Sequence, residues 1–208
     1  MRGNPREFAL IVSGASGMVL ARRFAEIVLE NTPIDVLHLV VTAAAAQVLA
    51  HELGGAWATA DGFRDQLALS DEEKGRVQTW SDANLGAPIA SGSHLLEGTV
   101  VLPCSAGMAG AISLGISRGL AQRAADVALK QHRPLVIGVR ESPLSEILLK
   151  NLLRLARAGA HIVPPMPAFY LKTDEGRTMD RFVDHYCLRV LDLLGIHLEG
   201  SNLRWPPR

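Results

Sequence analysis

This sequence lacks a net charge and has few cysteines, and both features exclude classes of protein. Its 208 residues carry 21 Lys and Arg against 21 Asp and Glu, so the chain has no electrostatic footprint of a general nucleic-acid binder. Zero net charge also removes a repulsion that keeps small proteins apart, which favours self-association. The two cysteines, Cys104 and Cys187, are too few for a disulfide framework or for a structural zinc site of their own.

Long apolar runs and metal-ligand spacings are absent as well. The apolar stretch near the N-terminus is interrupted by Ser13-Gly14, so it is too short to span a bilayer, and no small-residue cleavage site follows it. This pattern predicts a cytoplasmic protein with no membrane partner. None of the seven histidines stands at metal-ligand spacing from another, so the sequence predicts no metal site. With 48% hydrophobic and 20% charged residues, the chain can build a large core.

Short apolar runs alternate with helical patterns along the chain. The predicted strands are 8–12, 36–41, 99–102, 133–139 and 161–163, and the predicted helices are 19–30, 43–53, 107–131, 143–158 and 178–194. Residues 56–98 are less regular, and the charged residues 71–74 within them are interpreted as a solvated loop or helix end. Strands joined by helical crossovers indicate a parallel sheet. We predict a single α/β domain over 1–208, doubly wound and Rossmann- or flavodoxin-like, with a Pro- and Arg-containing tail at 201–208.

Ligands of such a sheet bind beyond the carboxyl ends of its strands. The turn Gly14-Ala15-Ser16-Gly17 directly follows the first strand, where exposed N–H groups at a helix start would suit a phosphate. The same turn is equally compatible with a tight strand-to-helix connection. It is not a full dinucleotide fingerprint, and no acidic residue closes the second strand, so nicotinamide dinucleotides are disfavoured.

Three further segments follow predicted strands. Cys104, in the segment 103–107, is interpreted as a packed small hydrophobe because the sequence positions no histidine to activate it. Arg140-Glu141 could bind phosphate and move protons, or form a surface ion pair. The run 164–170 offers a stiff apolar wall and one phenol, or a loop that plugs the core. Arg123 and Lys130 lie two helical turns apart on one predicted face and could meet an anion or remain solvated.

An ordered set of motifs resembles one known family, the UbiX/Pad flavin prenyltransferases, formerly described as aromatic-acid decarboxylases. The resemblance covers roughly residues 8–197 and is weakest between 54 and 88. The motifs that carry it are GASG (14–17), PCS (103–105), RAADVALK (123–130), RPLV (133–136), RESPL (140–144), PPMPAFY (164–170) and RVLDLLGI (189–196).

The resemblance implies a fold, a reaction and an assembly. The family is metal-independent and binds FMN, and it transfers a dimethylallyl group from dimethylallyl phosphate to N5 and then C6 of reduced FMN. Its product, prenylated FMN, serves a UbiD-type decarboxylase. Family members form dodecamers whose active sites lie where subunits meet.

The resemblance also assigns roles to residues of this chain. The flavin contacts would be Gly14, Ala15, Ser16, Thr42, Ser105, Ala106, Gly107, Met108 and Arg140. The donor phosphate would meet Ser91, Arg123, Lys130, Tyr170 and Arg189. Glu52 and Glu141 would handle protons, with Ser16 close to N5.

Three segments depart from the family pattern, and two other functions compete. Thr42-Ala43 stands where many members have Ser-Lys, residues 106–108 are less polar than usual, and 18–20 lack a common Tyr. One alternative is an FMN-dependent decarboxylase of the cysteine-decarboxylase type, although 103–108 lacks the Asn of that group. The other is a non-catalytic flavin carrier, which would leave the phosphate-binding set without a purpose.

Overall fold

A six-stranded parallel sheet forms the centre of the molecule. The computed structural model describes residues 5–170 and 178–198. The strands are β1 (Glu7–Val12), β2 (Val36–Val41), β3 (Val77–Ser81), β4 (Gly98–Cys104), β5 (Leu135–Val139) and β6 (His161–Ile162). They pair in parallel in the order β3-β2-β1-β4-β5-β6, which reverses direction between β1 and β4.

Helices cover both faces of this sheet. They are α1 (Met18–Asn31), α2 (Ala43–Glu52), α3 (Ala60–Gln66), α4 (Asp71–Gly75), α5 (Ala106–Ser113), α6 (Leu120–Lys130), α7 (Glu146–Arg157) and α8 (Met179–Leu193), with 3₁₀ turns at Gly55–Trp57 and Pro88–Ala90. Alternate β1 residues point to opposite faces: Phe8, Leu10 and Val12 pack with α1, α2, α3 and α8, whereas Ala9 and Ile11 pack with α5, α6 and α7.

The predicted doubly wound α/β class is confirmed, and the five predicted strands are all present within a few residues. The charged residues 71–74 lie at the surface in α4, which begins with a capping box between Ser70 and Glu73. The predicted tail at 201–208 lies outside the described residues. In the described ranges, no helix combines the length and apolarity needed to cross a bilayer.

Three predictions about elements are wrong. Residues 56–98 contain the edge strand β3, which the sequence analysis missed. The single predicted helix 107–131 is two helices, because the Asp82 carboxylate accepts from the Ala121 amide at 2.8 Å and so starts α6 anew. The helix expected to open at Pro143 starts at Glu146, where the Ser145 hydroxyl accepts from the Leu148 amide at 3.2 Å.

Candidate active site

The ends of β1 and β4 are joined by hydrogen bonds where the strand order reverses. The Ser13 hydroxyl donates to the Pro103 carbonyl oxygen at 2.9 Å, and the Ser105 amide donates to the Ser13 Oγ at 2.9 Å. This is the position at which a doubly wound sheet opens a crevice for a ligand. The GASG turn and the PCS segment therefore form its two sides.

The structure explains why glycine occupies both ends of the GASG turn. A Cβ at position 14 would lie 2.5 Å from the Cβ of Ala44 in α2, so only glycine permits this approach. Gly17 has a φ of 103°, in the left-handed region that disfavours other residues. The interpretation as a tight turn is thus correct in its geometry.

The N–H groups of this turn are engaged by Glu52, which changes the predicted phosphate cradle. The Glu52 carboxylate accepts from the Gly17 amide at 3.1 Å and from the Met18 amide at 2.8 Å. An acidic group at the start of α1 also complements the helix dipole. The first amides of α1 therefore donate to a side chain of α2, and the phosphate-binding role of the turn stays a prediction.

A cavity of about 660 Å³ opens between these segments. Seven predicted site residues line it: Gly14, Ala15, Ser16, Glu52, Ser105, Arg140 and Glu141. The Arg140 amide donates to the Cys104 carbonyl oxygen at 3.0 Å, which fixes the start of the Arg140-Glu141 pair beside the PCS segment. Val48 and His51 of α2 also line the cavity. Sequence reasoning missed both. Val48 lies one helical turn before Glu52, so its spacing was a usable signal, whereas the position of His51 directly before Glu52 gave none.

An apolar groove of about 370 Å³ shares Ser16, Glu52 and Arg140 with this cavity. One wall is the predicted stiff run, here Pro165, Met166 and Pro167. The other walls come from the two helices α1 and α8. The start of α1 contributes Gly17, Val19 and Leu20, and α8 contributes Met179, Phe182, Val183 and Tyr186. The α8 members were not predicted, yet they follow the three- and four-residue spacing of one helix face. The groove gives the cavity a nonpolar extension.

Four of the predicted flavin contacts are absent from the lining of that cavity. Thr42 instead caps α2, accepting from the Ala45 amide at 3.2 Å, and borders a separate cavity of about 710 Å³. Ala106, Gly107 and Met108 form the first turn of α5, where Met108 is buried. The Met108 amide donates to the Ser105 hydroxyl at 3.2 Å.

Three of the predicted donor-phosphate residues lie on another surface, around α6. The Arg123 Nε donates to the Ala90 carbonyl oxygen at 3.0 Å, next to Ser91, and its Nη1 lies 2.9 Å from the Asp126 carboxylate. Lys130 is exposed at the end of the same helix. Among the described residues, this group does not share the lining of the cavity that contains Glu141.

The remaining two phosphate candidates contact residues of α8. The Tyr170 hydroxyl lies 2.8 Å from the His185 Nε2. Arg189 is exposed and its Nη1 lies 3.1 Å from the Asp192 carboxylate. Neither residue lines the cavity in the described part of the chain.

Cys104 is buried at the end of β4, as predicted for a packed small residue. Burial raises the pKa of its thiol to about 12. The thiol therefore stays protonated at neutral pH and is unsuited to act as a nucleophile.

Two histidines that the sequence spacing keeps apart meet at one carboxylate in the structure, while the prediction of no metal site stays a prediction. Glu7, His38 and His94 are far apart in the sequence, yet each offers a ligand atom within 4.8 Å of the others. Sequence spacing could not show this because the three residues lie on β1, on β2 and in the segment before β4.

The fold and the cavity define a doubly wound flavoprotein. The flavoprotein family model matches residues 2–187. The chain is similar to flavin prenyltransferase LpdB of Lactiplantibacillus plantarum, with 38% identity over 93% of this chain and 95% of that protein. It is 40% identical to flavin prenyltransferase UbiX of Synechocystis, over 89% of both chains. This chain belongs to the flavin prenyltransferase family, and the predicted resemblance is confirmed.

Two solved structures share the whole fold. One is AnUbiX (PadA1) in complex with FMN and dimethylallyl pyrophosphate, at 29% identity, TM-score 0.81, covering 99% of this chain and 100% of that one. The other is a dodecameric FMN-dependent UbiX-like decarboxylase from Escherichia coli O157:H7, at 33% identity, TM-score 0.79, covering 97% and 100%. The cysteine decarboxylase TvaF, at 14% identity and TM-score 0.59, shares the fold alone.

Proposed function

We propose that the protein transfers a dimethylallyl group from dimethylallyl phosphate to N5 and C6 of reduced FMN. The observation that carries this proposal is the cavity between the ends of β1 and β4, where the strand order reverses. It is lined by Ser16, Glu52, Arg140 and Glu141 and adjoins an apolar groove. Its volume of about 660 Å³ lies within the range of small-molecule sites. The residues present therefore suit a flat polar ring with an apolar substituent beside it.

The C–O bond of dimethylallyl phosphate breaks and phosphate leaves with its electrons, while N5 of reduced FMN bonds to the dimethylallyl group and loses its proton. The C=C bond of that group then takes up a proton, and the resulting carbocation bonds to C6, which loses its own proton. The residues of this chain then have separate tasks. Arg140 places a permanent positive charge at the cavity, and Ser16 presents an exposed hydroxyl there. Glu141, exposed at the same wall, can protonate the departing phosphate and later accept the proton lost from C6.

Ser91, Arg123 and Lys130, here called the α6 group, lie apart from the cavity. This separation supports a site completed by a second subunit. Ser91 and Lys130 are exposed, and Arg123, Lys130 and the Ser91 hydroxyl are suited to neutralise a leaving phosphate. We propose that these residues, with Tyr170 and Arg189, meet the donor phosphate at the cavity of a neighbouring copy. Assembly into a dodecamer, which the Escherichia coli relative forms, would bring the two surfaces together.

Three further predictions belong to the same proposal. The chain acts as one FMN-binding domain, it works in the cytoplasm, and it delivers prenylated FMN to a UbiD-type decarboxylase. The departures at Thr42-Ala43 and at residues 106–108 leave the groups that handle phosphate intact.

The test is incubation of the purified protein with reduced FMN and dimethylallyl phosphate without oxygen, followed by mass analysis of the extracted flavin. We expect a flavin that has gained the dimethylallyl group, and an unchanged flavin when the donor or the reductant is omitted. A flavin that is bound but never modified would favour the carrier. Release of CO₂ from a peptide with a C-terminal cysteine would favour the decarboxylase.

A further inference from the structure

A buried carboxylate at the start of β1 binds two histidines through one oxygen. The Glu7 Oε2 lies 2.7 Å from the His38 Nε2 and 2.8 Å from the His94 Nε2. Glu7 and His38 are 8% and 1% exposed, so each depends on its partners for hydrogen bonding. None of these three residues lines the cavity of the proposed reaction in the described part of the chain.

Trp80 decides which nitrogen of His38 carries the proton. The Trp80 Nε1, which can only donate, lies 3.0 Å from the His38 Nδ1. The Nδ1 therefore accepts, and the proton of the neutral ring is on Nε2, where it is donated to Glu7. A metal ion would need the lone pair of Nε2 instead. The arrangement is thus a hydrogen-bonded chain that holds the Glu7 carboxylate in place, with one oxygen directed at His94.

His94 ends a tight turn that begins at Ser91. The His94 amide donates to the Ser91 carbonyl oxygen at 3.3 Å, and the Ser93 amide donates to the Ser91 Oγ at 3.3 Å. Arg133 donates to the carbonyl oxygens of His94 at 2.6 Å and of Gly92 at 2.9 Å. Two side chains therefore hold the turn: the His94 imidazole binds Glu7, and the guanidinium of Arg133, which follows α6, binds two of its carbonyl oxygens.

The first strand holds the same segment through its backbone. The Glu97 amide donates to the Glu7 carbonyl oxygen at 2.8 Å. On the other side of the turn, the Arg123 Nε binds the Ala90 carbonyl oxygen at 3.0 Å. The Ser91 turn therefore lies between two anchors, the His94–Glu7 hydrogen bond on one side and Arg123 on the other.

We propose that Glu7 and His94 are positioning residues for capture of the prenyl donor. They touch neither the donor nor the flavin. They hold the Ser91 turn so that its hydroxyl and the Arg123 guanidinium face the donor phosphate together. This inference rests on the proposed function, in which Ser91 and Arg123 bind that phosphate.

The experiment compares His94→Met, which removes the donor to Glu7, with His94→Gln, whose amide nitrogen can replace Nε2. We expect His94→Met to raise the KM for dimethylallyl phosphate roughly tenfold, since that factor corresponds to one lost hydrogen bond to a charged group. The kcat and the affinity for FMN should change less than twofold. His94→Gln should restore the KM. The control is His161→Met, at an exposed histidine of β6, which should match the wild type.

A second variant keeps the test valid if His94→Met does not fold. Glu7→Gln keeps one oxygen that both histidines can reach but removes its negative charge, which weakens both hydrogen bonds. It should therefore raise the same KM while leaving FMN affinity unchanged. An unchanged KM in an active His94→Met protein, or a loss confined to kcat, would overturn the positioning role alone. A wild type that makes no prenylated flavin would overturn both this inference and the proposed function.

Discussion

Glu52 and Glu141 border the same cavity but differ in how their carboxylates are engaged. Glu52 accepts from two backbone amides at the start of α1, whereas the Glu141 Oε1 accepts from the neighbouring Ser142 amide at 3.1 Å. The two amides fix the Glu52 carboxylate in place at the start of α1, whereas Glu141 is exposed at the cavity. Glu141 is therefore the better candidate for proton transfer, and Glu52 also shapes the site.

We predict that Glu141→Gln keeps FMN binding and loses about 10²–10⁴-fold in turnover, because the amide has nearly the same shape but transfers no proton. The measurement is the rate of prenylated-flavin formation under reducing conditions. The control is Glu146→Gln at the surface of α7, where Glu146 pairs with Lys150. Product formation by Glu141→Gln at the wild-type rate would show that another group moves the proton.

His38 makes stability depend on pH. Burial lowers its pKa below the ordinary 6.5, and the hydrogen bond to Glu7 opposes this only in part. The groups that face it are Glu7, His94 and Trp80. Because the unfolded chain then binds the proton at higher pH than the folded chain, acid favours unfolding.

We predict that the free energy of unfolding falls as pH drops below about 6.5, by at most ~1.4 kcal/mol per pH unit from this residue. Urea unfolding between pH 5 and 7.5 measures it. His38→Gln, which keeps an N–H donor for Glu7 and cannot titrate, should show a shallower slope. Equal slopes in the two proteins would exclude His38 as the source.

The contact between the GASG turn and α2 makes Gly14 sensitive to a single methyl group. A Cβ there would lie 2.5 Å from the Ala44 Cβ and 3.0 Å from the Ala44 carbonyl carbon, so the turn and α2 would have to separate. Gly107 in α5 is the opposite case, because a Cβ there meets no atom within 4 Å.

We predict that Gly14→Ala destabilises the protein by about 1–3 kcal/mol, as overpacking does, and weakens FMN binding because Glu52 and the turn move apart. Gly107→Ala should be neutral or stabilising by up to about 1 kcal/mol, since alanine favours helix. Urea unfolding and flavin fluorescence titration compare the two variants. A Gly14→Ala protein as stable as Gly107→Ala would mean that α2 adapts without cost.

Exposed apolar side chains on α7 and after α5 leave the molecule with surfaces suited to self-association. Ile147 is 75% exposed, Leu149 49% and Leu153 50%, and Leu114 after α5 is 60% exposed. Leu149 and Leu153 lie one turn apart on the same helix face. Zero net charge adds no repulsion between copies.

We predict an assembly larger than a dimer, with twelve subunits, because the α6 group and the cavity would then meet between copies. Light scattering measures the mass. The double variant Leu149→Glu/Leu153→Glu should lower the mass and the prenylation rate together, whereas Leu85→Glu, at an exposed loop residue, should change neither. A fully active monomer at micromolar concentration would rule out a shared site.

The sequence by itself determined the class of fold and most of the cavity wall. Continuous apolar runs such as Phe8–Val12 are buried on both faces of a parallel sheet, and a parallel sheet places the residues that follow its strands at one edge. For this reason Ser16, Ser105 and Arg140 could be assigned to one site before any contact was known. The edge strand β3 was missed because Val77-Gln78-Thr79-Trp80-Ser81 is half-exposed and mixes polar with apolar residues.

Only the tertiary structure decided which distant groups meet. Glu52 caps a helix 34 residues earlier in the chain, and Glu7 binds His94 across 87 residues. Such contacts depend on the register of the sheet, which sets Ala9 opposite His38, and on how helices pack over it. Periodicity records which face of an element is buried, but it carries no record of which other element covers that face.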